Sequence, residues 1–243
     1  KCDMFIVLKN VLQLSNDSKK FYKAIATTNG KKIRIWDVKS SNEINALEGH
    51  NGTITVLKLD KHRQNILFSA STDRKIKAWD LASYNSINNL KGHKSSIVNL
   101  KLFHENPNYL ASGSDFNESC IKLWDLERGE CINTFEFSSS EKGFITCIKS
   151  LSENFQKSHE KSKNINLIVG SNESKVIRVW DVRSDKCIRK LDDHTQQVQH
   201  FKIFDNGDLV SISFDNKIKL WDLKSSKCIQ TFNGHNAPIY GIK

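Results

Sequence analysis

A chain of 243 residues, 38% apolar and 26% charged with a mean hydropathy of −0.50, has room for one large or two small domains and is too apolar to be disordered. No run approaches the ~18 uncharged apolar residues of a membrane helix, and the first residues show no signal-peptide pattern, so no membrane association is expected. The formal net charge of +10 admits nucleic acid, acidic lipid or an acidic protein as partner; yet the cations are spread along the chain beside 23 asparagines, a composition that an AT-rich genome also produces, so direct nucleic-acid binding is not the favoured reading.

Taken in chain order, one pair of residues recurs. Trp36-Asp37, Trp79-Asp80, Trp124-Asp125, Trp180-Asp181 and Trp221-Asp222 contain every tryptophan of the chain, at spacings of 43, 45, 56 and 41 residues. Each is preceded by an alternating segment, IRI, IKA, IKL, IRV and IKL, with a basic residue two positions before the Trp (Arg34, Lys77, Lys122, Arg178, Lys219). Period-two alternation of this kind predicts β-strands, and no helical period is sustained anywhere. Gly49-His50, Gly92-His93 and Gly234-His235 form a second mark, with Asp193-His194 as a variant; the marks lie about 30 residues before the next Trp. The six cysteines form no C-x-x-C pair, which argues against a metal or redox site and fits reduced thiols in cytoplasm or nucleus. Cys131, Cys187 and Cys228 occupy equivalent places and are expected to be small buried side chains in strands.

The Trp-Asp and Gly-His marks at this spacing resemble the WD-repeat family over essentially the whole chain. The resemblance implies an all-β, WD-repeat β-propeller across residues 1–243, with five four-stranded blades ending near Trp36, Trp79, Trp124, Trp180 and Trp221. In the second repeat the strands fall at Thr53–Leu59 (a), Ile66–Ser71 (b), Lys75–Asp80 (c) and Ser86–Leu90 (d), and the fifth runs likewise from Val198 to Phe232. At the ends, Lys1-Cys2-Asp3 resembles the opening of a d strand and Val11–Leu14 a strand a, while Ile239–Ile242 is expected to begin a further strand a. Partial strands at both ends make the chain read as part of a six- to eight-bladed ring, most simply a seven-bladed one.

His50, Ser69, Asp73 and Trp79 recur as His194, Ser211, Asp215 and Trp221, and the third repeat keeps His93, Ser112 and Trp124. A Ser-His-Asp set invites a hydrolase reading. The family resemblance implies instead a hydrogen-bonded chain inside each blade, and an active site would not be duplicated repeat after repeat. No G-x-S-x-G, phosphate loop or H-E-x-x-H motif is present. Departures are expected at Asp115, where the b–c connection is longer, in the fourth repeat, where Gly170 and Ser174 replace Ser and Asp and Lys142-Gly143 replaces Gly-His, and in the first, where Ala26 and Gly30 stand. Apolar packing is expected to carry the first and fourth blades. Residues Glu153–Asn166 read as an inserted loop, either simply tolerated or a docking element.

The function implied is a non-catalytic scaffold for proteins or peptides, with no cofactor, metal or small-molecule substrate. Candidate contacts are Thr53, Thr72, Ser96, Gln197 and Phe214 on the d–a and b–c connections, Phe214 either facing a partner or packing on a neighbouring loop. Trp180-Asp181-Val182-Arg183 resembles the W-D-x-R motif of cullin ubiquitin-ligase receptors, and the net charge leaves an RNA–protein assembly as a further alternative.

Overall fold

The computed structural model describes residues 5–15, 18–60, 62–63, 65–103, 106–137, 143–151, 167–172, 174–204 and 206–241. These contain twenty β-strands and no helix, hence no helix long and apolar enough to cross a membrane. The strands form five four-stranded sheets in which chain order is also spatial order. The first holds β1 (Phe5–Ser15), β2 (Ser18–Asn29), β3 (Lys32–Asp37) and β4 (Glu43–Leu47); the second holds β5 (Ile54–Leu59), β6 (Ile66–Ser71), β7 (Lys75–Asp80) and β8 (Ser86–Lys91). The third holds β9 (Ile97–Leu102), β10 (Tyr109–Ser114), β11 (Cys120–Asp125) and β12 (Glu130–Glu136). The fourth comprises β13 (Ile145–Leu151), β14 (Leu167–Asn172), β15 (Ile177–Asp181) and β16 (Lys186–Leu191); the fifth comprises β17 (Val198–Ile203), β18 (Asp208–Ser213), β19 (Ile218–Asp222) and β20 (Lys227–Phe232).

The residues group into two compact units, 1–110 with 124–131, and 111–123 with 132–243. In the first unit, Ile33, Ile35 and Leu47 of the first sheet pack with Ile54, Leu57, Leu67, Trp79 and Leu81 of the second. In the second unit, Ile177, Val179 and Leu191 pack with Val198, Phe201, Leu209, Trp221 and Leu223. Burying both faces of a sheet explains why β7 is buried at four adjacent positions although its sequence alternates.

The Asp of each Trp-Asp pair has a local task. The carboxylates of Asp37, Asp80, Asp125, Asp181 and Asp222 accept the backbone N–H two residues on, at 2.8–3.1 Å, and so cap the turn into the outer strand. Each of these turns also holds a residue at positive φ, namely Ser41, Tyr84, Gly129, Asp185 and Ser226. A β-bulge follows in four of the sheets, leaving Ile44, Ile87, Ile188 and Ile229 opposite no partner.

Three expectations are corrected here. Cys131 and Cys187 are exposed and Cys228 is half-buried, because they lie on the outer strands, where alternation has a solvent side. Ile239–Gly241 form no strand, since a ladder needs a neighbouring strand and none of the described residues supplies one there. The Ser-equivalent position of the first sheet is Thr27 rather than Ala26, for a reason given below. The segment Val11–Leu14 lies within β1. Residues 1–3, Lys142, Ile242 and the insertion Glu153–Asn166 lie outside the described residues.

Candidate functional site

In the second sheet, His50 reaches over from the connection before β5. Its Nδ1 lies 2.8 Å from Asp73 Oδ2 and its Nε2 2.8 Å from Ser69 Oγ, to which Trp79 Nε1 also donates at 2.8 Å. The fifth sheet repeats the arrangement with His194–Asp215 at 2.8 Å, His194–Ser211 at 2.7 Å and Trp221–Ser211 at 2.8 Å. The protons follow from valence. An indole N–H can only donate, so each Ser Oγ accepts there and gives its own proton to His Nε2; Nδ1 then carries the ring proton and donates to the carboxylate. Burial lowers the pKa of both imidazoles, outweighing the hydrogen bond to Asp that would raise it. Burial works to raise Asp73 and Asp215, but the His hydrogen bond and the backbone N–H groups of Asn51 and Lys75, or Thr195 and Lys217, hold both below the usual value. The result is a neutral His on an ionised Asp, with every polar atom of Ser and Trp engaged and both serines fully buried.

The other sheets vary this theme. In the third, His93 stacks obliquely 6.0 Å from Trp124, and Ser112 is fully buried. Asp115 is turned inward on its own longer turn, accepting the N–H of Asn117, while Ser119 Oγ donates to Gly143 O and accepts Gly143 N–H, both at 3.0 Å. In the fourth, Gly170 pairs with Arg178 as Ser69 pairs with Lys77. A Cβ there would meet Ile121 Cδ1 at 2.4 Å, so a neighbouring side chain takes the space that a side chain at this position would need. Trp180 is held between Phe135 and Phe137, with ring centroids 5.9 and 5.0 Å away, and Arg178 lies over Phe137. Ser174 takes over the turn task of Asp, accepting Val176 N–H at 3.2 Å.

In the first sheet Thr27 pairs with Arg34 and accepts the Trp36 indole N–H at 2.8 Å. The b–c turn is one residue shorter than in the second sheet, so counting by fixed spacing lands on Ala26. This sheet therefore keeps part of the polar chain. The variant Asp193 replaces glycine where Gly49 would have Lys77 beside it, and forms an ion pair with the buried Lys219, which also donates to Thr231 at 2.9 Å.

The candidate contact residues separate by sheet edge. Thr53 and Thr72 are exposed and joined by a 2.9 Å backbone bond; Gln197 and Phe214 are half-buried and joined at 3.0 Å. Ser96 is half-buried at the same edge of its sheet. Arg183 is exposed on the turn after β15, at the opposite edge, its N–H given to Asp181. Phe214 stacks edge-on against Tyr240 at 5.6 Å, so it packs on a neighbouring segment. Phe116, in the long third-sheet turn already marked as a departure, is exposed, as is Phe144 before β13, which sequence reading did not single out as a contact. Sequence reading also missed the turn-capping role of the five Trp-Asp aspartates, which their uniform place before the turn could have signalled.

The sequence pattern of the WD domain, G-beta repeat, matches residues 41–80, 84–125 and 185–222. The chain belongs to the WD-repeat family. Among curated relatives, it is 29% identical to Mitochondrial division protein 1 of Candida glabrata over 70% of the chain and 26% of that protein. It is 27% identical to a CCR4-associated factor 4 homolog of Vanderwaltozyma polyspora, over 70% of the chain and 28% of the relative. Autophagy-related protein 16 of Arabidopsis thaliana matches at 23% identity over 85% of the chain and 28% of its own length. The chain thus spans about a quarter of each of these relatives. Its five sheets are WD blades, and the His–Ser–Asp–Trp chains are their internal struts.

Proposed function

We propose that the chain is a non-catalytic adaptor that presents the b–c and d–a connections of its blades to partner proteins. The observation that carries this reading is the fate of the residues that look catalytic. Each Ser Oγ of the complete networks is fully buried, accepts an indole N–H and has its proton committed to an imidazole, so no substrate can reach it as a nucleophile. What differs between blades lies on the connections, where Thr53, Thr72 and Phe116 face solvent. One relative is named for association with another protein, CCR4, which agrees with an adaptor.

The test is affinity capture with the 243-residue chain from a nuclease-treated lysate, read by mass spectrometry. The adaptor reading expects a partner set that survives nuclease and is lost on Thr53→Glu with Thr72→Glu, but kept on Arg183→Glu. Loss on Arg183→Glu alone would favour the cullin-receptor reading, and loss after nuclease an RNA–protein assembly with steep salt dependence. Either outcome overturns the assignment of the working edge.

A further inference from the structure

The basic residue two positions before each Trp shares the Trp face of its strand, because side chains alternate. In three blades this cation meets a carboxylate. Arg34 reaches Glu43 at 2.5 Å; Lys122 lies 3.7 Å from Glu118 and donates to Thr134 at 3.0 Å; Lys219 is paired with Asp193 and donates to Thr231 at 2.9 Å. Lys77, like Lys122 only 9% exposed, forms no ion pair among the described residues. Its ammonium lies 5.7 Å from the Trp79 ring centroid, beside the exposed backbone of Gly49. The carboxylates of Glu48 and Asp73 are engaged elsewhere, Glu48 with Lys32 at 2.6 Å and Asp73 with His50 Nδ1 and the Asn51 N–H. Asn89 faces Lys77 across the ladder where Thr231 faces Lys219, and its buried amide oxygen has no hydrogen-bond partner.

Around Lys77 the second sheet adds cations where other sheets carry pairs. Lys75 stands directly opposite Lys91, and like charges so placed destabilise a ladder. The matching ends of the first and fourth sheets hold ion pairs instead, Lys32–Glu48 at 2.6 Å and Lys175–Asp192 at 3.3 Å. Arg74 and Lys94, both exposed, extend the positive surface onto the b–c and d–a connections. Burial, and after it the Lys75 charge, lowers the pKa of Lys77, with Asp73 working the other way. A buried cation without a counter-charge costs folding energy, so this sheet keeps a charge imbalance that the chain itself does not relieve.

We propose that Lys77, with Lys75 and Lys91 on the same face, takes a carboxylate side chain from an acidic segment of a partner protein docked on the b–c and d–a edge of the second blade. The inference rests on the adaptor reading and gives the partner its chemistry. The fifth blade holds the completed form inside the chain: Asp193, at the place of Gly49, sets its carboxylate on Lys219. Gly49 cannot be replaced in the same way. It holds φ at +149°, and a Cβ there would lie 3.4 Å from Trp79 Cη2, so the carboxylate comes from outside. Ammonium groups are point charges on flexible stems, and several on one face suit a segment with successive acidic side chains.

Fluorescence anisotropy of a labelled deca-glutamate peptide with the 243-residue chain tests the proposal, with deca-glutamine as the neutral control. Deca-glutamate should bind and deca-glutamine should not. Lys77→Met, and separately Lys75→Gln with Lys91→Gln, should each weaken binding by about tenfold or more. Lys186→Gln with Lys190→Gln removes exposed charges from β16 and should weaken it by less than about twofold. Lys77→Met deletes an unpaired buried charge, so its urea midpoint should equal or exceed that of the unsubstituted chain, which separates lost binding from lost fold. Absence of deca-glutamate binding overturns the proposal, as does equal weakening by the β16 and the Lys75, Lys91 variants, the mark of net charge alone. Lysate capture with Lys77→Met separates the proposal from the adaptor reading. Partners kept by this variant but lost on Thr53→Glu with Thr72→Glu overturn the acidic-segment site and leave the adaptor standing.

Discussion

Thr27 Oγ1 accepts the Trp36 indole N–H at 2.8 Å, the length of the bond that Ser69 and Ser211 offer their own tryptophans. In the first blade the bond stands at a half-buried site; in the second and fifth the serine is also tied to a buried imidazole. Ser211→Ala therefore strands two buried polar groups at once, the indole N–H and His194 Nε2. It should cost about 1–3 kcal/mol, and Ser69→Ala the same. Thr27→Val removes one bond near solvent and should cost about 0.5–1.5 kcal/mol. Denaturant midpoints at unchanged slope measure the difference. Equal losses for Thr27→Val and Ser211→Ala would show that the imidazole bond adds nothing.

The same position shows where sequence reading is strong and where it fails. Tryptophan anchors strand c because its size and its single donor fix one burial and one partner, so β7 and β19 could be placed almost to the residue. Counting outward from that anchor works until a turn changes length, and the turn at Gly30-Lys31 displaced the reading from Thr27 to Ala26. The outer-strand cysteines failed for a different reason. Alternation tells two faces apart but not which of them a neighbour will cover, and at Cys131 and Cys187 none does.

Acid should loosen the blades through the two complete networks. Burial holds the native pKa of His50 and His194 below the ordinary value of 6.5. A depressed native pKa means the unfolded chain binds the proton first. The stability tied to the neutral rings is then fully present above pH 6.5 and is lost as pH falls toward the native values. Asp73 and Asp215, also depressed, add a further loss as pH falls below about 4. Urea titrations at pH 7.5, 6.5 and 5.5 should show a steady decline. A His50→Gln, His194→Gln double variant should be less stable at pH 7.5 but decline less steeply, each ring accounting for at most about 1.4 kcal/mol per pH unit. Parallel slopes for the two proteins would rule out these histidines as the acid-sensitive groups.

Thiol chemistry should divide the cysteines by strand. Cys120 is buried on the third-strand ladder, and burial together with the nearby Glu118 carboxylate pushes its pKa up to about 12. Cys147 is also buried, whereas Cys131 and Cys187 are exposed and Cys228 is half-buried. Since the thiolate is the reactive form, alkylation at pH 8 followed by peptide mass analysis should mark Cys131 and Cys187 first and Cys228 next. Cys120 and Cys147 should react only in denaturant. Native labelling of Cys120 at the rate of Cys187 would contradict the burial of that strand.

Restoring the usual serine to the fourth blade should weaken it. Gly170 sits at the position of Ser69 and Ser211, so consensus alone would favour Gly170→Ser. The space is already taken, however: an added Cβ would lie 2.4 Å from Ile121 Cδ1 and 3.1 Å from Trp180 Cζ3. Ile121 is fully buried, so the substitution overpacks the site and should cost about 1–3 kcal/mol. Ile121→Val removes the clashing methyl and, alone, should cost about 0.5–1.5 kcal/mol for the gap it leaves. Combined, the two changes offset each other's defect, since the lost methyl makes room for the added side chain. The double variant should then be more stable than the sum of the single losses by at least about 1 kcal/mol, a coupling that a double-mutant cycle reads directly. Strict additivity would mean that Ile121 is not what keeps serine out of this blade.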